Sequence, residues 1–238
     1  MATPIQTKIC GVTNANDAGA CVELGADMIG FNFYRESPRY IEPADVRRIL
    51  DKLSPGISAI GVFVDADPAE VSEVAKTAGV QRVQLHGNAT PESCSELAQE
   101  FRVIRALSTD AQFAPEHAAA FPECDVLIDA YHPELRGGTG QTCDWSVARA
   151  AMRHTRFLIL SGGLNARNVA SAITTVAPHA VDVCSGIERS PGVKDHRALE
   201  QFISAVRAAE RFVRATSTHT APAESHPERS QGSQIMRS

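Results

Sequence analysis

The sequence predicts an α/β protein, a single-domain (β/α)8 TIM barrel, on three observations. Short apolar runs alternate with longer amphipathic segments from residue 5 to about residue 212, the pattern of βα units around a parallel sheet. Eight such runs can be counted. The residues directly after them include cysteine, histidine, aspartate and paired glycines, as expected where barrel strands open onto one shared face. A doubly wound open sheet is the competing architecture.

The strands are expected at 5 to 10 (IQTKIC), 27 to 33 (DMIGFNF), 58 to 64 (SAIGVFV) and 82 to 86 (RVQLH), then at 102 to 107 (RVIRAL), 125 to 129 (DVLID), 157 to 161 (FLILS) and 180 to 184 (AVDVC). Helical patterns at 16 to 26, 42 to 53 and 67 to 79 each open near an Asn, Asp or Pro able to cap or pre-set a first turn. A last one, 195 to 213, closes the domain. Eight strands and eight helices in just over 210 residues sit near the lower end of barrel sizes, so the catalytic domain is placed at residues 1–214. Residues 215–238 are rich in Ser, Thr, Ala and Pro and nearly free of apolar residues. Such a segment buries too little surface to offset its ordering entropy, and a disordered tail is expected there, with His219 and His226 functionally silent.

A net charge of −5 and the lack of any Lys/Arg run argue against a nucleic-acid partner, because phosphate-backbone binding needs a clustered basic surface. No stretch approaches the ~20 apolar residues of a membrane span, and no secretory signal precedes the first strand, so a cytoplasmic protein without a membrane partner is expected. The six cysteines form no CxxC pair and no zinc-like cluster with histidine. Cys21, in a helical pattern, and Cys124, at a strand start, read as small buried hydrophobes.

At the strand ends the list is informative: Cys10 after the first, Arg39 in the loop after the second, His86 ending the fourth, Asp129 ending the sixth, Ser161-Gly162-Gly163 after the seventh and Cys184-Ser185-Gly186 after the eighth. Glycines let backbone N–H groups approach phosphate oxygens, and a helix start directly behind them adds the favourable end of its dipole. Two such turns, after strands seven and eight, point to a phosphate site; the plainer alternative is a pair of tight βα turns. Asp129 is followed by a long loop, AYHPELRGGTGQTCDW, whose GGTG has the freedom to close over a ligand. Partial desolvation there raises a carboxylate pKa and suits a general acid, though an Asp in this place can equally cap a helix or pair with an Arg. Strand alternation puts Lys8 and Cys10 on one face, with Cys10 toward the barrel interior and Lys8 a layer below. Cys10 can act as base only as a thiolate. No residue stands out as its partner, Lys8 included, and a buried core thiol is the alternative.

Six ordered motifs, KICGVT, FNFYRESPRYI, VQLHG, LIDAYHPELRGGTGQTCDW, LSGGLNARNV and VDVCSGIERSPGVKD, together resemble the phosphoribosylanthranilate isomerase family of tryptophan biosynthesis, up to about residue 212. The resemblance implies a (β/α)8 barrel and an Amadori rearrangement of N-(5-phosphoribosyl)anthranilate into 1-(2-carboxyphenylamino)-1-deoxyribulose 5-phosphate, with no metal or organic cofactor. The family's general base falls on Cys10 and its general acid on Asp129. Arg39 matches the arginine facing the anthranilate carboxylate, His86 and Asp182 match pocket positions with no assigned step, and the phosphate site maps to backbone around Gly162, Gly163, Ser185 and Gly186. The family more often has a serine where this chain has Cys184. The implied partner is a small phosphosugar substrate, and the chain is a monomer or a homodimer. The sister isomerase of histidine biosynthesis is the nearest rival, but it carries an aspartate base where this chain has Cys10. A catalytically dead phosphosugar-binding barrel is the rival from another class, and it is expected to have lost Cys10 or Asp129.

Overall fold

The computed structural model describes residues 4–53, 56–109, 112–129 and 145–218 of the 238. Its strands are β1 (Gln6–Cys10), β2 (Met28–Asn32), β3 (Ser58–Val64), β4 (Arg82–His86), β5 (Arg102–Ser108), β6 (Asp125–Asp129), β7 (Leu158–Ser161) and β8 (Ala180–Val183). All eight are parallel, each pairs with its neighbour in chain order, and β1 pairs with both β2 and β8, which closes the barrel and excludes the open sheet.

Both faces of each strand are covered, which is why the strands read as apolar runs rather than alternating ones. One face supplies an interior cluster drawn mainly from strand residues, among them Met28, Ile60, Leu127, Ile159 and Ala180. The other face, with Ile9, Ile29, Val126, Leu160 and Val181, packs against the surrounding helices. Those helices are α1 (Ala15–Glu23), α2 (Pro43–Leu50), α3 (Pro68–Ala78), α4 (Pro91–Leu97), α5 (Trp145–Ala151), α6 (Val169–Val176) and α7 (His196–Thr218). The expected caps are in place: Asn14 accepts from the Asp17 N–H, Asp67 from the Glu70 N–H, and Pro opens α2, α3 and α4.

Two expectations need correction. Between β5 and β6 the chain makes a 3-10 turn at Pro115–Ala120 instead of an eighth α-helix. Only Ala118 of that turn is buried, too little packing to carry a full helix through its unfavourable nucleation. The glycine turn after β7 does not lead straight into a helix either. α6 begins only at Val169, and the intervening segment is tied down by Asn165 and Asn168, whose side-chain amides both donate to the Gly163 carbonyl at 3.3 and 3.0 Å.

Cys21 and Cys124 are fully buried, as their positions predicted. α7 runs on to Thr218, whereas most of the tail, with His219 and His226, and the 130–144 loop, with Cys143 and GGTG, lie outside the described residues. After β8 a short antiparallel hairpin, β9 (Glu188–Ser190) and β10 (Val193–Lys194), crosses the barrel mouth and places Lys194 opposite Glu188. Among the described residues no helix is long and apolar enough to cross a membrane.

Candidate active site

The alternation of β1 turns Lys8 and Cys10 inward, and the β1–β8 register sets Lys8 beside Asp182 and Ile9 beside Val183. One step further along, Cys10 therefore meets Cys184, the first residue after β8. Lys8 Nζ donates to Asp182 Oδ1 at 3.0 Å, with the lysine side chain fully buried and the aspartate 6% exposed. Asp182 Oδ2 accepts from Ser161 Oγ at 3.3 Å. The Lys8 ammonium also hydrogen-bonds the Cys10 sulfur.

This overturns the expectation that Cys10 lacks a partner and that Lys8 does not help. The long lysine stem carries its charge up one layer of the barrel. Burial pushes the Lys8 pKa down, but Asp182 first and Cys10 second outweigh it, and the net shift is upward. The Cys10 thiol is brought down to about 6, by a hydrogen bond from Cys184 above all and then by the Lys8 and Lys194 charges, against burial and Asp182. A thiolate is thus the prevailing form near neutral pH.

A second ionic cluster braces this strand tip. Arg39 Nε and Nη2 donate to the two oxygens of Glu188 at 3.0 and 2.6 Å, a bidentate pair. Lys194 Nζ donates to Glu188 Oε1 at 2.9 Å and to the Cys10 carbonyl at 2.5 Å. Burial raises the Glu188 pKa, yet its Arg39 and Lys194 hydrogen bonds win and hold it at about 2. His86 is pushed down to about 4, by burial and then by the Lys8 charge, so its imidazole is neutral; a 2.6 Å hydrogen bond links it to Gln84.

On the β6–β8 side of the mouth lies a cavity of about 360 Å³ lined by Asp129, Ser161, Gly162, Gly163, Leu164, Asp182, Cys184, Ser185 and Gly186. It gathers the candidate acid, Asp182 and all four residues of the two expected phosphate turns. Gly162 and Gly163 take φ values of 101° and 64°, a left-handed turn open to glycine at low cost. At Gly186 a side chain would overlap the Leu164 carbonyl oxygen, so the two turns touch backbone to backbone. The helical turn beside this cavity is the single 3-10 turn Ser185–Ile187, in place of the α6 start that the sequence led us to expect. Asp129 stands at the end of β6, in register with Ser161, and β7 and β8 separate it from Cys10 around the barrel.

A family model described as N-(5'phosphoribosyl)anthranilate (PRA) isomerase matches residues 7–205 of this chain. The chain belongs to that family. The N-(5'-phosphoribosyl)anthranilate isomerase of Thermotoga maritima is 45% identical over 199 residues, covering 84% of this chain and 97% of its own. The crystal structure of the phosphoribosyl anthranilate isomerase from Thermotoga maritima matches at a TM-score of 0.80 and 44% identity, covering 86% of this chain and 99% of that one. A further solved phosphoribosyl anthranilate isomerase, in complex with reduced 1-(o-carboxyphenylamino)-1-deoxyribulose 5-phosphate, matches at 0.78 and 41%, with the same coverage.

Within this phosphoribosylanthranilate isomerase barrel, sequence reasoning missed Lys8, Glu188, Lys194 and the Cys184 side chain. Lys8 had a usable signal, since it shares the inward face of Cys10. Glu188 and Lys194 had none, because their convergence on Cys10 depends on a hairpin that follows the last barrel strand.

Proposed function

We propose that this chain isomerises N-(5'-phosphoribosyl)anthranilate to 1-(2-carboxyphenylamino)-1-deoxyribulose 5-phosphate in tryptophan biosynthesis, with Asp129 as general acid and Cys10 as general base. Asp129 gives a proton to the furanose ring oxygen, and the ring opens to a protonated imine. Cys10, as thiolate, takes the C2' proton, and the resulting enolamine tautomerises to the ketone. The observation that carries this division of labour is a cysteine held as thiolate by buried cationic and thiol neighbours, at the rim of a cavity whose far side carries a carboxyl group. An acid and a base on separate sides of one sugar are what the rearrangement needs.

The two glycine turns hold the substrate phosphate through backbone N–H groups. Arg39 receives the anthranilate carboxylate on the guanidinium edge that Glu188 does not use. His86, neutral, and Asp182, paired to Lys8, line the pocket and take no step. Gly186→Ala forces the turns apart and is expected to raise KM roughly tenfold or more, in line with the ~1.5–3 kcal/mol of a hydrogen bond to a charged group, with kcat less affected. Steady-state kinetics on the purified variant checks this.

Asp129→Ala is expected to slow turnover by roughly 10²–10⁴-fold with the fold intact by circular dichroism. A near-wild-type rate removes Asp129 from the mechanism. Assaying the same protein with the doubly phosphorylated aminoaldose of histidine biosynthesis separates the two isomerase readings, and turnover of that substrate alone overturns ours.

A further inference from the structure

Cys184 stands where the register of β1 and β8 sets it directly beside Cys10, two positions above the Lys8–Asp182 pair. Its sulfur lies 3.8 Å from Glu188 Oε1 and 3.9 Å from Lys194 Nζ, and its thiol hydrogen-bonds Cys10. The two sulfurs are therefore in contact but in unlike surroundings. Cys10 faces Lys8 on its own strand, Asp182 on β8 and Lys194 on β10. Cys184 faces Lys194 and the Glu188 carboxylate, with the Arg39 guanidinium close by.

Only one of two touching thiols ionises readily, because a second thiolate would repel the first. A carboxylate beside Cys184 and a fully buried ammonium beside Cys10 decide which. Cys184 keeps its proton and Cys10 loses it. The proton that Cys184 keeps has two acceptors in reach, the Cys10 sulfur and Glu188 Oε1. Glu188 already accepts from both nitrogens of the Arg39 fork and from Lys194, which leaves the sulfur of Cys10 as the less satisfied acceptor.

We propose that Cys184 is a positioning residue, whose thiol donates a hydrogen bond to the Cys10 thiolate and keeps that thiolate populated at neutral pH. Arg39, Glu188 and Lys194 fix the side of Cys184 from which the donor points. The inference rests on Cys10 being the base of the proposed isomerisation, and it accounts for a thiol at a place where a hydroxyl would serve equally well as donor. Serine preserves the function and alanine abolishes it.

The test is the pH dependence of iodoacetamide alkylation of Cys10, read by mass spectrometry of the Cys10 peptide in wild-type, Cys184→Ala and Cys184→Ser proteins, beside the pH profile of kcat/KM for each. Alkylation reports the thiolate whether or not Cys10 is catalytic. In Cys184→Ala the Cys10 midpoint is expected to rise by roughly one pH unit or more, and the acid limb of kcat/KM to move with it. In Cys184→Ser both stay near wild type. An unmoved Cys10 midpoint in Cys184→Ala overturns the proposal, as does a serine variant that behaves like alanine. A midpoint that moves while the kcat/KM limb stays still supports the Cys184 contact and instead refutes Cys10 as the base.

Discussion

Cys10→Ala is expected to lower kcat/KM for N-(5'-phosphoribosyl)anthranilate by roughly 10²–10⁴-fold, the usual range for loss of a positioned base. Circular dichroism and thermal midpoint should stay near wild type, because Cys10 is at the barrel mouth and only partly buried. The wild-type protein carries the matching pH signature. With Cys10 titrating near 6, kcat/KM falls as the pH drops through that value and the thiolate is protonated, and it holds level above until another group intervenes. Stopped assays from pH 4 to 9 on the wild type, about two units either side of neutrality at the least, read the limb. A variant lacking Cys10 shows no limb at that position.

Asp182→Ala is expected to destabilise the fold by about 3–5 kcal/mol, the cost of leaving a buried charge without its partner. Lys8 has a fully buried side chain, and Asp182 is the carboxylate it bonds. Urea denaturation followed by circular dichroism measures the loss. The double variant Lys8→Met/Asp182→Val supplies the control, since replacing both members of a buried ion pair with apolar groups is often neutral. It should recover most of the stability and still have a Cys10 thiol harder to ionise, because the ammonium is gone. A single Asp182→Ala variant as stable as wild type would show that the pair contributes nothing to folding.

The barrel was legible because both sheet faces are buried, so each strand announces itself as an apolar run, and eight runs leave few closed arrangements. Strand parity also placed Lys8 and Cys10 on the inward face correctly. The missing information concerned reach and direction. Parity puts Lys8 a layer below Cys10, but only the length of its side chain tells that the ammonium rises to the sulfur. The glycine turns were visible as pairs of residues, whereas the contact of Gly186 with Leu164 depends on how neighbouring loops stack. Arg39 was found as a carboxylate binder, yet the carboxylate it holds in this structure is Glu188, distant in sequence and delivered by a hairpin that no apolar run marks. The missing helix between β5 and β6 has a simpler cause, a segment with a single buried side chain.

The most direct measurement is fluorimetric. Purified wild-type protein mixed with N-(5'-phosphoribosyl)anthranilate should consume it, read as a catalysed loss of anthranilate fluorescence at pH 7 to 8, about one unit or more above the Cys10 midpoint. The Cys10→Ala protein at equal concentration should leave the signal near the uncatalysed rate. No loss with wild-type protein, or equal loss with both, would contradict the account.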